Sequence, residues 1–454
     1  MPRRPKKKVQ TQPVCFQPDS AGIDIGATEL FVAVPPDRAE ESVRSFNAFT
    51  EDLHALADWL TACRIKTVAM ESTGVYWIPV FQVLETRGFE VCLVNARHVK
   101  NVPGRKSDVL DCQWLQYLHS VGLLRGSFRP PDQVCALRSY LRHRDMLVKS
   151  AARHVQHVQK ALTQMNLHLH HVVSDLTGVT GLAILDAILG GERDPLKLAA
   201  LRDRRIKASE AMIAKALVGD YRQEHLFTLR QALAIYRHYQ GQILECDRQI
   251  EQHLATFQSK TQEPAPAPVG RQRKKPERNQ PHFDLRSHLH RILGVDLTAL
   301  PGLSTINVHT VFSEIGGDLS KFPTSKHFSS WLGLCPDHRI SGGKVLSAHT
   351  RTVKSRAAYA LRMAAYSAGK SYSALGDYFR RMRARLGAPK AITATAHKLA
   401  RIIYHLLKTG SAFDDTVFAH NEVRYQQRRA ANLRQQARDL GFTLVPLPIP
   451  GEVS

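Results

Sequence analysis

Paired cysteines are missing from this chain. Its 454 residues hold seven cysteines, Cys15, Cys63, Cys92, Cys112, Cys135, Cys246 and Cys335, and no two are spaced as C-x-x-C. That usage excludes a sequence-legible zinc knuckle or disulfide framework and fits a reducing, cytosolic compartment. Long apolar runs are missing too. None approaches the roughly 18 residues of a membrane helix, so no membrane association is expected. The basic residues Arg3, Arg4, Lys6, Lys7 and Lys8 are followed by no apolar segment. A secretory signal is therefore not expected, and 1–20 reads as a disordered basic arm. Acidic residues are scarce: 40 Asp and Glu face 63 Lys and Arg, leaving a net charge of +23.

That charge favours a polyanionic partner, because backbone electrostatics supplies most non-specific nucleic-acid binding. Hydrophobic residues make up 43% of the chain, enough to bury several cores. At this length two or three domains are expected.

Against the basic background four acids stand out: Asp24 in Gly22-Ile23-Asp24-Ile25-Gly26, Glu71 in Ala69-Met70-Glu71-Ser72, and Asp108 and Asp111 in Lys106-Ser107-Asp108-Val109-Leu110-Asp111. Carboxylates gathered without lysine or arginine partners usually hold hard cations. Two such ions can clamp the attacking and leaving oxygens of a phosphodiester. Around them the pattern is α/β. Strand-like runs at 23–26 and 30–34 precede an amphipathic helix at 52–62 with Leu53, Leu56, Trp59 and Leu60 inward. A strand at 65–70 ends on Glu71, a helix covers 77–87, and another strand covers 89–94. Open α/β sheets bind ligands at the C-terminal ends of their strands, where Glu71 falls. Asp108 and Asp111 follow a Pro103-Gly104 turn and share one face of a helix over 109–118. Taken alone, either could be a helix cap.

The order of these motifs resembles the RNase H/RuvC-like domain of the IS110-family, or DEDD, transposases. The segment 102–111, Glu71-Ser72-Thr73-Gly74 and the surroundings of Trp114 carry the likeness. The resemblance implies that Asp24, Glu71, Asp108 and Asp111 bind Mg²⁺ or Mn²⁺. It further implies DNA partners (element ends and target), a structured guide RNA (the bridge RNA), a homo-oligomer of two or four copies, and a bacterial, nucleoid-associated setting.

The middle of the chain reads as helical, over 131–257. Positions Leu137, Leu141, Arg144, Val148, Ala151, Val155, Val158, Leu162, Met165, Leu169, Val172 and Leu176 alternate by four and three, and eleven of the twelve are apolar. This predicts a coiled-coil helix of about forty residues, a rod of roughly 60 Å. A second such run spans 229–257, with Gln240 and Asp247 as polar core positions able to set register or partner choice. Pairing within one chain or across a dimer is left open. His143, His154, His157, His168, His170 and His171 fall mainly on the outward face, so they are read as solvated or phosphate-facing and not as a metal site. Residues 258–284 form a Pro-rich linker in which Arg271, Arg273, Lys274, Lys275 and Arg278 are either a backbone-contacting cluster or a solvated run.

Residues 285–410 read as a mainly helical domain. Leu300-Pro301-Gly302-Leu303-Ser304 before a helical pattern is either a helix-hairpin-helix turn able to hold a phosphate or a plain helix connection. Farther on, Gly333-Leu334-Cys335-Pro336 leads to Arg339-Ile340-Ser341-Gly342-Gly343-Lys344. This stretch resembles the C-terminal transposase domain of the same family, which implies Ser341 as nucleophile, with Ser347 and Ser355 as competitors. Gly342 and Gly343 permit close backbone approach to a phosphate, or simply make a turn. A serine needs a base or metal to activate it, and the resemblance implies support from the acids across a composite site. Residues 411–454 add a basic helical tail. The expected fold is thus α/β plus α, and the expected enzyme a DNA transposase or recombinase. The rivals are a metal-dependent junction nuclease without covalent intermediate and a non-catalytic nucleic-acid-binding scaffold.

Overall fold

The computed structural model describes residues 15–72, 74–95, 108–267 and 279–445. The start of the basic arm, the Pro103-Gly104 turn, the Arg271 to Arg278 cluster and the tail beyond 445 lie outside the described residues. The chain divides into two compact units, Met1–Arg129 and Pro130–Ser454.

In the first unit, alternation along β1 (Ser20–Ile25) decides which layer each residue meets. Ala21, Ile23 and Ile25 enter the apolar core, while Gly22 and Asp24 take the opposite face. β2 (Glu29–Ala33) and β3 (Val43–Asn47) add antiparallel strands on one side of β1. β4 (Thr67–Glu71) and β5 (Glu90–Val94) add parallel strands on the other, giving the order β3-β2-β1-β4-β5. The strand β3 was not expected; only Phe46 of it is buried, so its sequence gives little alternation to find. α1 (Thr50–Ala62) and α2 (Trp77–Thr86) bury Leu53, Leu56, Leu60, Val80, Phe81 and Leu84 against one face of the sheet. α3 (Asp108–Ser120) covers the other face. It lies so close that a Cβ on Gly22 would sit 2.3 Å from the Cys112 carbonyl oxygen and 2.4 Å from the Gln116 nitrogen. Only glycine fits there.

In the second unit, α4 (Asp132–Gln164) and α9 (Gln223–Ala255) pack antiparallel within the chain. His253 Nε2 meets the Gln133 carbonyl at 2.7 Å at one end, and the rings of His154 and Tyr239 lie 5.6 Å apart farther along. Between these helices α5 (Leu169–Val172), α6 (Val179–Leu189), α7 (Pro195–Ala200) and α8 (Glu210–Ala216) build a small cap around Leu167, Ile184, Ile188, Leu198, Ile213 and Leu217. The expected forty-residue rod is therefore too long. The helix has 33 residues and stops at Gln164, about 50 Å along. Asn166 turns left-handed at φ 56°, and the Met165 carbonyl accepts from Asp220 N at 2.9 Å. Leu169 and Leu176 then bury in the cap, whose core satisfies the same apolar spacing as a coiled-coil seam.

The polar seam positions find each other. Arg144 Nε donates to Asp247 Oδ1 at 2.5 Å, both residues being buried. Asp247 also accepts from His282, and Arg144 donates to the Asn279 carbonyl. A buried pair so supported fixes alignment of the two helices, since a slip by one turn would strand both charges. The last three histidines do not lie on the rod. Once the helix stops, His168, His170 and His171 gather beyond it, with His170 and His171 rings 4.2 Å apart. Burial and its two neighbours lower the pKa of His170.

The remaining helices are α10 (Leu285–Leu293), α11 (Thr305–Ile315), α12 (Ser325–Trp331), α13 (Arg356–Ala368), α14 (Ala374–Leu386), α15 (Ala388–Thr409) and α16 (Thr416–Asp439). Small residues on α13, among them Ala357, Ala360, Ala364 and Ala368, let its neighbours approach closely. Gly302 serves this packing: a Cβ there would lie 2.3 Å from the Ala364 carbonyl oxygen. Its open backbone thus admits α13, which favours the plain connection over a phosphate-holding hairpin. α11 ties to α4 through Glu314, which pairs with Arg138 at 3.3 Å and Arg142 at 3.1 Å. Among the described residues, no helix is long and apolar enough to cross a membrane.

Candidate active site

The acids of the first unit are set by sheet register. β1 and β4 pair in parallel through Ile23↔Met70, and Asp24 and Glu71 stand one step farther on, side by side. Both leave the face that carries α1 and α2, because Ile23 and Met70 occupy that core. α3 brings the rest. Gln116 Nε2 donates to the Ser20 carbonyl at 3.4 Å, and His119 shares a buried 2.9 Å hydrogen bond with Thr67. These contacts pin the C-terminal half of α3 to the start of β1 and β4. From Ser20 to Asp24 the strand rises about 13 Å. From Gln116 back to the first residue of α3 the helix rises about 12 Å. The first turn of α3 is therefore level with Asp24 and Glu71.

Electrostatics agrees with that placement. The Cys112 thiol is pushed up to about 12, first by burial and then by the fields of Asp24 and Asp111. Two carboxylates from different elements thus act on one buried atom, and the thiol stays protonated between them. Asp24, Glu71 and Asp111 are all partly buried. Asp108 opens α3, and its side chain lies outside the described residues. Strand register sets Asp24 beside Glu71, and carboxylate oxygens are the donor type a hard divalent ion takes, so the chemistry of these residues fits such a group.

Ser341 lies in the second unit, at the end of β6 (Arg339–Ser341), which pairs antiparallel with β7 (Lys344–Ser347). Gly342 and Gly343 form the two-residue turn with φ 54° and 75°, the left-handed pair such a hairpin requires. Nothing lies within 4 Å of a Cβ built on either glycine. The arm is exposed from Arg339 to Leu346, with Ile340 and Leu346 63% and 70% accessible, and Ser347 is half-buried. The rival serines have other work. Ser355 caps α13 by accepting from Ala358 N at 3.1 Å, and Ser347 accepts from His349 N. No side-chain hydrogen bond to Ser341 exists among the described residues.

Sequence reasoning missed the residues that place the acids: Gly22, Gln116, His119 and Thr67. A signal existed for Gly22, since glycine inside a strand often marks a close backbone approach.

A sheet of order 3-2-1-4-5 with acids at its central strand ends is consistent with the RNase H-like domain of DEDD transposases. Residues 21–167 match the family model of the DEDD transposase of IS110 elements, described as a transposase. Residues 296–380 match the transposase IS116/IS110/IS902 family. The chain belongs to the IS110 family of transposases, enzymes that act on DNA. No curated protein matches it.

Proposed function

We propose that this transposase recombines element-end and target DNA through a covalent Ser341–DNA intermediate, guided by a structured bridge RNA and working as a dimer or tetramer. The observation that carries the metal half is the register of Asp24 beside Glu71, with Asp111 on the helix above. In this reading Asp24, Glu71, Asp108 and Asp111 hold Mg²⁺ or Mn²⁺. A bound divalent ion supplies charge neutralisation at the scissile phosphate. The carboxylates fix where that charge sits, and the Gly22 contact with α3 keeps them there.

Ser341 Oγ forms a bond to phosphorus as one ester P–O bond to the deoxyribose breaks. The serine proton leaves, and the sugar oxygen takes up a proton. Arg339 and Lys344, both exposed on the same arm, offset phosphate charge during the exchange. Exposure and freedom from a capping role support Ser341 over Ser347 and Ser355.

The rest of the reading follows the chain: a metal-binding domain at 21–130, a helical region of coiled-coil type at 131–257, and a serine domain at 285–410. The basic stretches 258–284 and 411–454 hold nucleic-acid backbone, in keeping with the net charge of +23.

Incubation of the chain and its co-purified RNA with element-end DNA and Mg²⁺ tests the reading. Cleavage with a denaturation-resistant protein–DNA adduct is expected. Cleavage without an adduct replaces this reading with a junction nuclease. Binding with no cleavage under any divalent metal replaces it with a scaffold.

A further inference from the structure

The cap that interrupts the helical pair holds a second cluster of metal-ligating groups. His168, His170 and His171 each offer a ring nitrogen, and the three nitrogens lie within 4.8 Å of one another. Among the described residues no other group of three His, Cys, Asp or Glu meets that condition. Two of the three rings are partly buried, and the Nδ1 atoms of His168 and His170 are shut from solvent with no hydrogen-bond partner. A buried ring nitrogen without a partner is costly unless something else satisfies it.

The tautomer of His168 is set by its neighbour. Nε2 lies 2.9 Å from Asn166 Oδ1, an atom that can only accept. Nε2 therefore carries the proton, and the buried, unpartnered Nδ1 keeps its lone pair. Histidine metal ligands are held in this way, with the far ring nitrogen donating to an amide or carboxylate oxygen. Asn166 is itself fixed in a left-handed turn at φ 56°, where the helix ends.

We propose that His168, His170 and His171 bind one Zn²⁺ ion, with water in the fourth position, at the N-terminal end of α5. Three imidazoles are a borderline donor set suited to zinc and poorly suited to Mg²⁺. At Zn–N distances of about 2.0–2.1 Å, tetrahedral ligand atoms stand about 3.3 Å apart. Closing from 4.8 Å to that spacing takes small rotations of exposed or half-exposed rings. The site is separate in chemistry from the carboxylates of the first unit.

The test uses the untagged full-length chain, stripped with chelator and returned to micromolar ZnCl₂ in excess Mg²⁺, then gel-filtered and assayed for metal. One zinc per chain and a raised melting temperature are expected. Loading with Co²⁺ should give the visible absorption of a tetrahedral nitrogen site. His171→Ala, a change at an exposed residue that leaves the fold intact, should lose the retained zinc. Asn166→Gly, which keeps the left-handed turn, should weaken binding about ten- to a hundredfold. The double variants His154→Ala/His157→Ala and Asp24→Asn/Glu71→Gln should retain the ion. A wild type that retains no zinc, or a folded His171→Ala that retains as much as wild type, overturns the proposal.

Discussion

The sheet edge of the first unit and the serine arm of the second are built by opposite rules. Asp24 and Glu71 are held by strand register, by a core beneath them and by a helix packed against Gly22 at contact distance. Ser341 stands on a two-stranded arm whose turn touches nothing within 4 Å of either glycine's Cβ position. A group that positions charge must be in place before substrate arrives, because reorganising it later costs rate. A nucleophile that becomes joined to DNA has to accommodate its partner before and after the bond forms. Under the proposed reading, rigidity belongs to the metal half and freedom to the nucleophile half.

Substitutions can break this comparison. Asp24→Asn removes the charge of a proposed ligand and should lower strand cleavage by about a thousandfold, the several kcal/mol that metal charge stabilisation supplies. Its melting temperature should stay near that of wild type. Retention of cleavage within tenfold would remove Asp24 from the site.

Gly22→Ala tests the rigid half by geometry alone. The added methyl meets backbone at 2.3 Å and 2.4 Å, so α3 must shift. The expected cost is about 1–3 kcal/mol in denaturant unfolding, with cleavage falling about a hundredfold as Asp111 moves. Gly342→Ala is the counterpart on the arm. It meets open space but a left-handed backbone at φ 54°, so the strain is about 1–2 kcal/mol and local to the hairpin. Loosening of the exposed hairpin relieves part of that strain, so global unfolding should shift by less than for Gly22→Ala while adduct formation slows. Unfolding that shifts as much as for Gly22→Ala would mean the arm is packed more firmly than its exposure implies.

The smallest effect separates the serines. Ser355→Ala loses the cap of α13 and should cost about 1 kcal/mol in stability while leaving the adduct intact.

Much of the first unit was legible because it obeys simple periodicities. The strand-like run at 23–26 and the apolar strand ending on Glu71 were both visible, and they fall in β1 and β4. The sequence pattern did not reveal that Asp24 and Glu71 would be neighbours, since register is a property of two strands. In the helical middle the four-three repeat ran on through the point where the chain turns. Apolar spacing reports burial without saying what does the burying, and Leu169 and Leu176 serve a cap core instead of a seam. Asn166, the residue that stops the helix, carries no apolar signal. The same blind spot hid the histidine cluster, which exists only because the helix ends. Arg144 and Asp247 were visible as polar exceptions in two repeats, and their mutual pairing is what the antiparallel alignment adds. At the serine, Gly342-Gly343 was readable as a turn, and the structure supports that reading without diminishing Ser341 beside it.

The proposed mechanism is tested most directly by comparing wild type with Ser341→Ala for covalent adduct formation on labelled element-end DNA with co-purified RNA and Mg²⁺. The account predicts an adduct for wild type whose linked peptide carries the nucleotide on Ser341, and none for Ser341→Ala at unchanged DNA binding. An adduct of equal yield from Ser341→Ala, or a linkage mapped to Ser347 or Ser355, would contradict it.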